Sequence, residues 1–466
     1  MSMRIRSNLF LTVGLLAAVC LTGCENGQSK KDEKPSISFM SIALSQDVLS
    51  RRGSQKIVSA YEEYTGIQVD WTWVMSDVYG ETLSYVMRDK SNLPMIVTYG
   101  GELSGDVVKE ARNGSFWDLR PFLEMEELFP NLSQANEKIL NALTVDGEVI
   151  GIYRSREIGR YGLSYRKDWA EAVGITEEPQ TAEDVYELLY RFTWNDPDGN
   201  GKDDTFGLEM TRYTGSFDII QTWFGCGNQW VEEDGVLIPV HETEAYLEAL
   251  NWLRRIYEDG LMRPDWPLVD SETSGNALKN GQAGAVVNVM GDGTRAWRYY
   301  EENGISSVAE EGENASICMV GPIEGATLAT SGYNGFFAIT KAGAKTEEDV
   351  SQTDGAQYGL NQAVCYIPRL SNATHPEKQS VMNQAQEAAY ERNREAAVYN
   401  PASGYLPQSR VFEEKGTTLD AIIEDARTMY VCGQIDEAQW REEIERWNQE
   451  GGAALKEELN QLHQEK

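Results

Sequence analysis

The segment Ile67-Gln68-Val69-Asp70-Trp71-Thr72-Trp73 decides the fold class, because its apolar and polar residues alternate strictly. A period of two predicts a β-strand with one buried face. Residues 36–42 predict an earlier strand, and the helix between the two strands is expected to end at Gly66. A second helix over residues 77–89 and a strand over residues 95–99 follow. This β-α-β-α-β order predicts a parallel sheet covered by helices.

A second α/β segment follows the first. Asp146-Gly147 predicts a hairpin turn, and a new set of elements begins near Tyr165. Thr181 and Asp184 form a capping box that opens an amphipathic helix. Residues 283–290 predict a buried strand, and the chain is helical and acidic toward its end. The length of 466 residues suits two lobes rather than one small core.

The composition excludes several classes of function. Asp and Glu number 74 against 41 Lys and Arg, so the net charge of −33 argues against nucleic acid as a partner. Three histidines leave little for His-based chemistry, and no GxSxG, HExxH, Walker A or CxxC motif occurs. Six cysteines are too few for a disulfide scaffold. Four of them could pair outside the cytosol or serve as small buried hydrophobes: Cys226, Cys318, Cys365 and Cys432.

Residues 1–23 have the pattern of a lipoprotein signal peptide. A basic start precedes the apolar run of residues 9–19, which is too short to span a bilayer. The run ends in Leu21-Thr22-Gly23-Cys24, which resembles a bacterial lipobox and marks Cys24 for lipidation, with palmitate among its acyl chains. The alternative is an apolar start with a chance cysteine. Residues 24–35 are polar and predict a tether.

The segment Asp196-Pro197-Asp198-Gly199-Asn200-Gly201-Lys202-Asp203-Asp204 predicts a calcium loop. Oxygen-bearing side chains occupy loop positions 1, 3, 5 and 9, and glycine occupies position 6. Gly207 replaces the glutamate that ends an EF-hand loop, and the alternative is a polar turn without an ion. The predicted ligands are Asp196, Asp198, Asn200, the Lys202 carbonyl and Asp204.

Aromatic residues near predicted strand and loop ends indicate a ligand with flat apolar faces, as sugars have. Asp and Glu beside them would accept hydrogen bonds from hydroxyl groups. For each ring alone, packing within its own lobe is the competing interpretation. The predicted ligand-binding residues are Trp73, Tyr99, Glu102, Tyr153, Trp223, Trp266, Asp292 and Tyr333.

Several segments together resemble the family 1 solute-binding lipoproteins of carbohydrate ABC importers, in the branch that includes alginate-oligosaccharide binders. The most recognisable is Tyr165-Arg166-Lys167-Asp168-Trp169. Others are residues 64–69, 93–96, 113–119, 146–152, 281–284 and 334–339. The resemblance covers most of residues 36–340, and Thr205 departs from the glutamate that the alginate binders have there.

The resemblance implies an α/β fold of the periplasmic-binding-protein-like type II, with two lobes, hinge crossovers and a ligand cleft. The lobes are expected at residues 36–150 plus 284–340 and at 151–283 plus 341–466. The implied protein is a non-enzymatic monomer, lipid-anchored on the extracytoplasmic face of the cell membrane. It carries a structural calcium and delivers a carbohydrate to the permease subunits of an ABC transporter.

Two other functions remain open at this point. An extracellular polysaccharide-cleaving enzyme would need a positioned pair of carboxylates and would turn its ligand over. A surface lipoprotein without a transport role would bind no small ligand.

Overall fold

The structure is a computed structural model that describes residues 36–43, 51–357 and 380–465. The predicted signal peptide, the lipidation site Cys24, the tether and Cys365 lie outside the described residues. Within the described part, no helix is long and apolar enough to cross a membrane. Cys226, Cys318 and Cys432 are free thiols.

The described chain combines strands and helices, with runs of consecutive strands in its middle and consecutive helices over residues 410–464. The strands are β1 (Ser36–Ala43), β2 (Gln68–Met75), β3 (Ile96–Tyr99), β4 (Thr144–Val145), β5 (Glu148–Val149), β6 (Ile152–Ser155), β7 (Tyr161–Arg166), β8 (Phe206–Glu209), β9 (Trp230–Glu233), β10 (Val236–Pro239), β11 (Ala283–Val289), β12 (Ile317–Val320), β13 (Thr327–Leu328), β14 (Tyr333–Ile339) and β15 (Ala397–Val398). The helices are α1 (Arg51–Thr65), α2 (Ser76–Arg88), α3 (Gly105–Arg112), α4 (Arg120–Leu123), α5 (Glu137–Asn141), α6 (Lys167–Ala172), α7 (Ala182–Trp194), α8 (Gly215–Ile220), α9 (Glu244–Glu258), α10 (Asn276–Lys279), α11 (Gly291–Asn303), α12 (Glu347–Ser351), α13 (Val381–Glu395), α14 (Arg410–Val431), α15 (Glu437–Trp447) and α16 (Ala453–Gln464).

The first lobe is built on a five-stranded sheet of order β2-β1-β3-β14-β6. Strands β1, β2 and β3 are parallel, as the β-α-β-α-β pattern predicts, and β14 runs antiparallel to both of its neighbours. Helix α1 ends at Gly66, which has a φ of 71° and donates its amide to Glu62 O at 2.8 Å. The parallel strands therefore end on one edge of the sheet, where a ligand approaches in such folds.

The second lobe is built on a four-stranded sheet of order β12-β7-β11-β8. Its central strand β7 is antiparallel to β11 and β12, and β11 is parallel to β8. The predicted capping box is confirmed, because Thr181 and Asp184 exchange side-chain to backbone bonds at the start of α7. Val185, Leu188 and Phe192 of α7 are fully buried against this sheet.

The predicted lobe boundaries differ from the sheet membership. Strands β11 and β12 belong to the second sheet, so residues 284–320 do not return to the first lobe. The chain returns to the first lobe at β14, which begins at residue 333 and lies between β3 and β6 in the first sheet. Residues 341–357 then stay with the first lobe, since Val350 packs beside Phe122 and Asp354 accepts amide bonds from Asn131 and Leu132. A buried apolar strand has the same pattern in either sheet, so periodicity could not assign it.

Two extended segments connect the lobes side by side. Residues 156–160 leave the first sheet, and residues 329–332 bring the chain back. The Arg156 amide donates to Gly332 O at 2.8 Å, and the Thr330 amide donates to Ile158 O at 3.1 Å. These paired segments form the described hinge. The predicted lobe boundaries at residues 150–151 and 283–284 lie inside the lobes instead.

Helix α14 belongs to the second lobe, but its first turn packs against α3 of the first lobe. Arg112 of α3 pairs with Glu413 of α14, and its guanidinium also donates to Gln408 O at 3.3 Å. Gly105 is the first residue of α3. A side chain at this position would clash with α14, because an added Cβ would lie 2.6 Å from Phe412 O. The absence of a side chain at this position therefore permits the contact between the lobes.

The segment of residues 165–169 forms a buried ion pair at the end of β7. The Arg166 guanidinium donates to both oxygens of Asp168, at 2.8 and 2.7 Å, and both side chains are almost completely buried. The guanidinium also lies over the rings of Trp169 and Tyr300, at 4.8 and 4.9 Å from their centroids. Lys167 remains exposed. One short stretch therefore joins β7, α6 and α11.

Candidate functional site

The candidate site is the cleft between the two lobes. A cavity of about 330 Å³ lies there, lined by the loop after β3 and by residues of α8 and α14. The loop holds its shape through bonds to the returning chain. Gly335 donates its amide to Gly101 O at 2.6 Å, and the Leu103 amide donates to the Tyr333 hydroxyl at 3.3 Å. Gly101 has a φ of 74°, which favours glycine at this turn.

Glu102 projects from this loop into the cleft. Its carboxylate accepts a bond from the Ser331 hydroxyl at 2.9 Å. The side chain keeps contact with solvent, yet burial raises the pKa of Glu102 above its usual value, while the Ser331 bond opposes that rise. This combination is expected for a carboxylate inside a concave site.

The opposite wall carries a partly buried ion pair. Arg427 of α14 donates to Asp218 of α8 and to the Thr214 hydroxyl, each at 2.6 Å. Although burial alone lowers the pKa of Arg427, the Asp218 carboxylate raises it above its usual value. Asp420 lies about two helical turns before Arg427 on the same helix, and burial together with Glu424 raises the pKa of Asp420 to about 6.

The hinge side of the cleft carries arginines and tyrosines. Arg156 and Arg160 lie on the first crossover segment, and Tyr161 begins β7 directly after it. Tyr213 follows the carboxyl end of β8 and is 46% exposed. Arg160, Tyr161 and Tyr213 interact electrostatically with one another, and Tyr161 also interacts with Glu102. These groups therefore share one region of the cleft.

Two of the sequence-predicted residues meet at this site. Glu102 lines the cavity, and Tyr333 supports the Glu102 loop with its hydroxyl while its ring is buried. Tyr99 lies just before the loop, but its ring stacks on Phe336 with centroids 5.0 Å apart. The Tyr153 hydroxyl accepts a bond from the Asn136 amide at 2.6 Å. The last two rings thus pack within the first lobe.

The structure places the other four predicted residues away from the cavity. Trp223 packs edge-on against Trp252 in the second-lobe core. Trp266 is 0% exposed and packs against Phe217. Trp73 stacks on Trp71 at the outer edge strand of the first sheet, with centroids 4.7 Å apart. Asp292 is buried, accepts a bond from Asn288 at 2.9 Å and pairs with Arg295. The two buried indoles have no free ring face to offer a ligand.

Sequence reasoning missed Asp218 and Arg427, which line the cavity. It also missed Arg160, Tyr161 and Tyr213, which interact electrostatically with one another and, for the two tyrosines, with Asp218. A signal existed for Tyr213, which follows the carboxyl end of a strand, where open α/β sheets bind ligands. Arg160 and Tyr161 carry no such signal until the crossover is known. Asp218 and Arg427 are 209 positions apart, so only the fold brings them together.

The predicted calcium loop forms a compact exposed turn. Asp196 accepts the Asn200 and Gly201 amides at 2.9 and 3.0 Å, and Gly201 has a φ of 79°. The Asn200 side-chain amide donates to Asp198 at 2.8 Å and to Asp204 at 3.0 Å. In the described residues, no three His, Cys, Asp or Glu side chains converge closely enough to hold an ion. The oxygen donors fit calcium in kind, and the Asn200 amide lies between two of them.

The cleft can bind a hydroxyl-rich ligand. Glu102 and Asp218 accept hydrogen bonds, Arg160 donates them, and Tyr161 and Tyr213 offer apolar ring faces. The described histidine nearest the cavity, His241, is buried against Trp447, and burial lowers its pKa to about 3. At neutral pH this imidazole therefore carries no charge.

Comparison with known proteins agrees with this architecture. Lipoprotein LipO of Bacillus subtilis is 32% identical over 96% of this chain and 97% of its own length. The polygalacturonan/rhamnogalacturonan-binding protein YtcQ of the same organism is 27% identical over 97% of each chain. A structure of the ABC-transporter substrate-binding protein FusA of Streptococcus pneumoniae, an EF-hand mutant in complex with fructo-nystose, superimposes with a TM-score of 0.65. It is 16% identical over 92% of this chain and 99% of its own.

The fold is thus that of periplasmic-binding-protein-like proteins, with two α/β lobes and a ligand cleft between them. The sequence model of one family matches residues 49–353, which is more than half of the chain. The chain belongs to the bacterial extracellular solute-binding proteins.

Proposed function

We propose that the protein captures an oligosaccharide in the cleft between its lobes and delivers it to the permease of an ABC importer. The observation that carries this proposal is a cavity lined by the carboxylates Glu102 and Asp218 and by Arg427, with the exposed ring of Tyr213 interacting with the last two. The names of YtcQ and FusA, which refer to polysaccharide binding and to an ABC transporter, support the choice of ligand and partner. No covalent chemistry is required, so the protein acts as a monomeric binding protein and not as an enzyme.

The alternative of a polysaccharide-cleaving enzyme has less support. Two carboxylates of the cavity are engaged in other contacts, since Asp218 pairs with Arg427 and Glu102 accepts from Ser331. The other two, Asp420 and Glu424, lie one turn apart on the same helix and therefore on the same wall. A glycosidase needs one carboxylic acid and one free carboxylate on opposite sides of the scissile bond. The binding function therefore accounts better for this arrangement.

Measuring the affinity of the Tyr213→Ala protein for its sugar ligand tests the proposed binding function. A panel of mono- and oligosaccharides is first screened by thermal shift, and the best ligand is measured by isothermal titration calorimetry. Loss of the exposed Tyr213 ring is expected to weaken binding by about 1–3 kcal/mol, with little change in the melting temperature without ligand. Tyr85→Ala is the matched control, because Tyr85 is 71% exposed on α2, whereas Tyr213 interacts with the cavity residues Asp218 and Arg427.

Two results would contradict the function. One is equal affinity of the Tyr213→Ala and Tyr85→Ala proteins for the same sugar. The other is release of shortened sugar products during a long incubation, which would indicate turnover.

We also propose a lipid anchor at Cys24, supported by the name of LipO and by the lipobox-like segment. In the producing cell, Cys24→Ala is expected to yield an unprocessed precursor or a protein released from the membrane. Cell fractionation and mass spectrometry of the amino terminus measure this. A mutant that still fractionates with membranes as the cleaved form would exclude the anchor.

A structural calcium ion is proposed for the loop of residues 196–204, held by Asp196, Asp198, Asn200, the Lys202 carbonyl and Asp204. The FusA protein that superimposes on this chain is an EF-hand mutant, which supports such a loop in a protein of this fold. Bound calcium supplies a positive charge that offsets the repulsion among these carboxylates.

Calcium is expected to raise the free energy of unfolding by about 2.7 kcal/mol at a concentration one hundred times its dissociation constant. Thermal melting with and without chelator measures this effect. The double change Asp196→Ala and Asp198→Ala should abolish it, while Asp203→Ala, in the same loop and exposed, should keep it. A wild-type melting curve that is identical in chelator would refute the site.

A further inference from the structure

Two arginines of the hinge stand out in a chain with a net charge of −33. Acidic residues are so abundant that Arg112, Arg166 and Arg427 each have a carboxylate partner. Arg156 and Arg160 have none among the described residues. The Arg156 guanidinium donates only to the neighbouring Ser155 O, at 2.8 Å, and no ion pair or side-chain bond involves Arg160 within the described ranges.

The surroundings of Arg160 make this lack of a partner costly. Its side chain is half-buried and interacts electrostatically with Tyr161, Tyr213 and Tyr390, and burial lowers the pKa of Arg160 below its usual value. The positive charge of Arg156 adds to that effect. A partly buried cation without a counter-ion is stabilised by an anion that enters from solution.

The crossover segment fixes both arginines at the cleft. Asn393 donates its side-chain amide to Gly159 O at 2.8 Å and to Tyr161 O at 2.6 Å, and this side chain is fully buried. The backbone on either side of Arg160 is therefore held rigidly against α13. A ligand therefore meets a backbone that is already ordered at Arg160, which reduces the entropy lost on binding.

The charges that face these arginines leave a positive excess at the hinge end. Asp218 is neutralised by Arg427, Glu157 pairs with Arg394, and Asp292 pairs with Arg295. The other described carboxylate that interacts with Tyr161 is Glu102, and it already accepts a bond from Ser331. A neutral sugar would leave the two guanidinium groups without a counter-charge. A carboxylate matches the planar donor fork of arginine and can bind it through two hydrogen bonds.

We propose that the ligand is an acidic oligosaccharide, and that Arg160 with Arg156 binds a uronic-acid carboxylate at the hinge end of the cleft. This inference rests on the proposed function and adds the chemical class of the ligand. Tyr161 and Tyr213 flank the same position, so one sugar ring can contact an aromatic face while its carboxylate contacts Arg160.

Isothermal titration calorimetry with matched acidic and neutral ligands tests the inference. The probes are a panel of uronate tetrasaccharides, including α-1,4-linked tetragalacturonate, each with its neutral counterpart in which the carboxylate is replaced by a hydroxymethyl group. The wild-type protein is expected to bind at least one acidic probe ten times or more tighter than its counterpart. That preference should weaken as the salt concentration rises.

Substitutions of Arg160 and Arg156 test whether these two residues cause the preference for acidic probes. Arg160→Gln is expected to weaken binding of the preferred acidic probe by about 10- to 100-fold. Arg160→Lys should restore part of the loss, because lysine keeps the charge but not the fork. Arg298→Gln removes an exposed arginine of α11 that does not line the cavity, and it should bind like the wild type. Arg156→Gln provides a second variant if Arg160→Gln does not fold.

Each outcome has one meaning. Neutral probes that bind as tightly as every acidic probe would overturn the inference and leave the sugar-binding function standing. An acidic preference that survives both Arg156→Gln and Arg160→Gln would also overturn it. If no carbohydrate binds at all, the proposed function and the inference both fail.

Discussion

Replacing Asp168 by alanine is expected to lower the free energy of unfolding by about 3–5 kcal/mol, because a buried ion pair loses one partner. The Arg166 guanidinium donates to both Asp168 oxygens and lies between the rings of Trp169 and Tyr300. Without the carboxylate, a buried positive charge remains without a counter-ion. Chemical denaturation followed by tryptophan fluorescence measures the change.

The neighbouring residue provides the control for this prediction. Lys167→Ala removes an exposed side chain from the same segment and should change stability by no more than about 0.5 kcal/mol. If Asp168→Ala and Lys167→Ala had equally small effects, the ion pair would not stabilise the second lobe.

Replacing Trp266 by alanine is expected to destabilise the protein by about 3–5 kcal/mol, the usual cost of removing a large buried aromatic side chain. Trp266 is 0% exposed and contacts Phe217 with ring centroids 5.5 Å apart. The sequence-based interpretation of Trp266 as a ring on which a sugar stacks predicts the opposite result. In that case affinity for the sugar would fall and the melting temperature without ligand would not change. Denaturation without ligand separates the two interpretations.

The comparison between Trp266→Ala and Tyr213→Ala sharpens this test. The first should reduce stability, and the second should reduce affinity. If the Trp266→Ala protein had wild-type stability and a weaker affinity for sugar, Trp266 would be a ligand-binding residue and its packing in the core would be contradicted.

Several elements of both lobes can be predicted well from the sequence, because their patterns are local. Strict alternation over residues 67–73 indicates β2, and in the second lobe the capping box of Thr181 and Asp184 indicates the start of α7. The hairpin at Asp146-Gly147 also forms, between β4 and β5. Each of these signals depends on neighbours within a few residues.

The cleft could not be predicted in the same way, because its members meet only through long-range contacts. The number of aromatic residues indicates flat rings but not their orientation, so Trp223 and Trp266 fit the pattern of a platform although the fold buries them. The lobe assignment of β11 failed for a related reason. Its buried apolar run fits the centre of either sheet, and only strand pairing distinguishes the two.

The contact between α3 and α14 has a consequence for redesign of this protein. At Gly105 two backbones meet so closely that a single added methyl group would collide with Phe412 O. Such a collision involves main-chain atoms, which cannot turn aside as a flexible side chain can. One carbon atom at position 105 would therefore act as a wedge between the lobes and set their separation from the wall of the cavity itself.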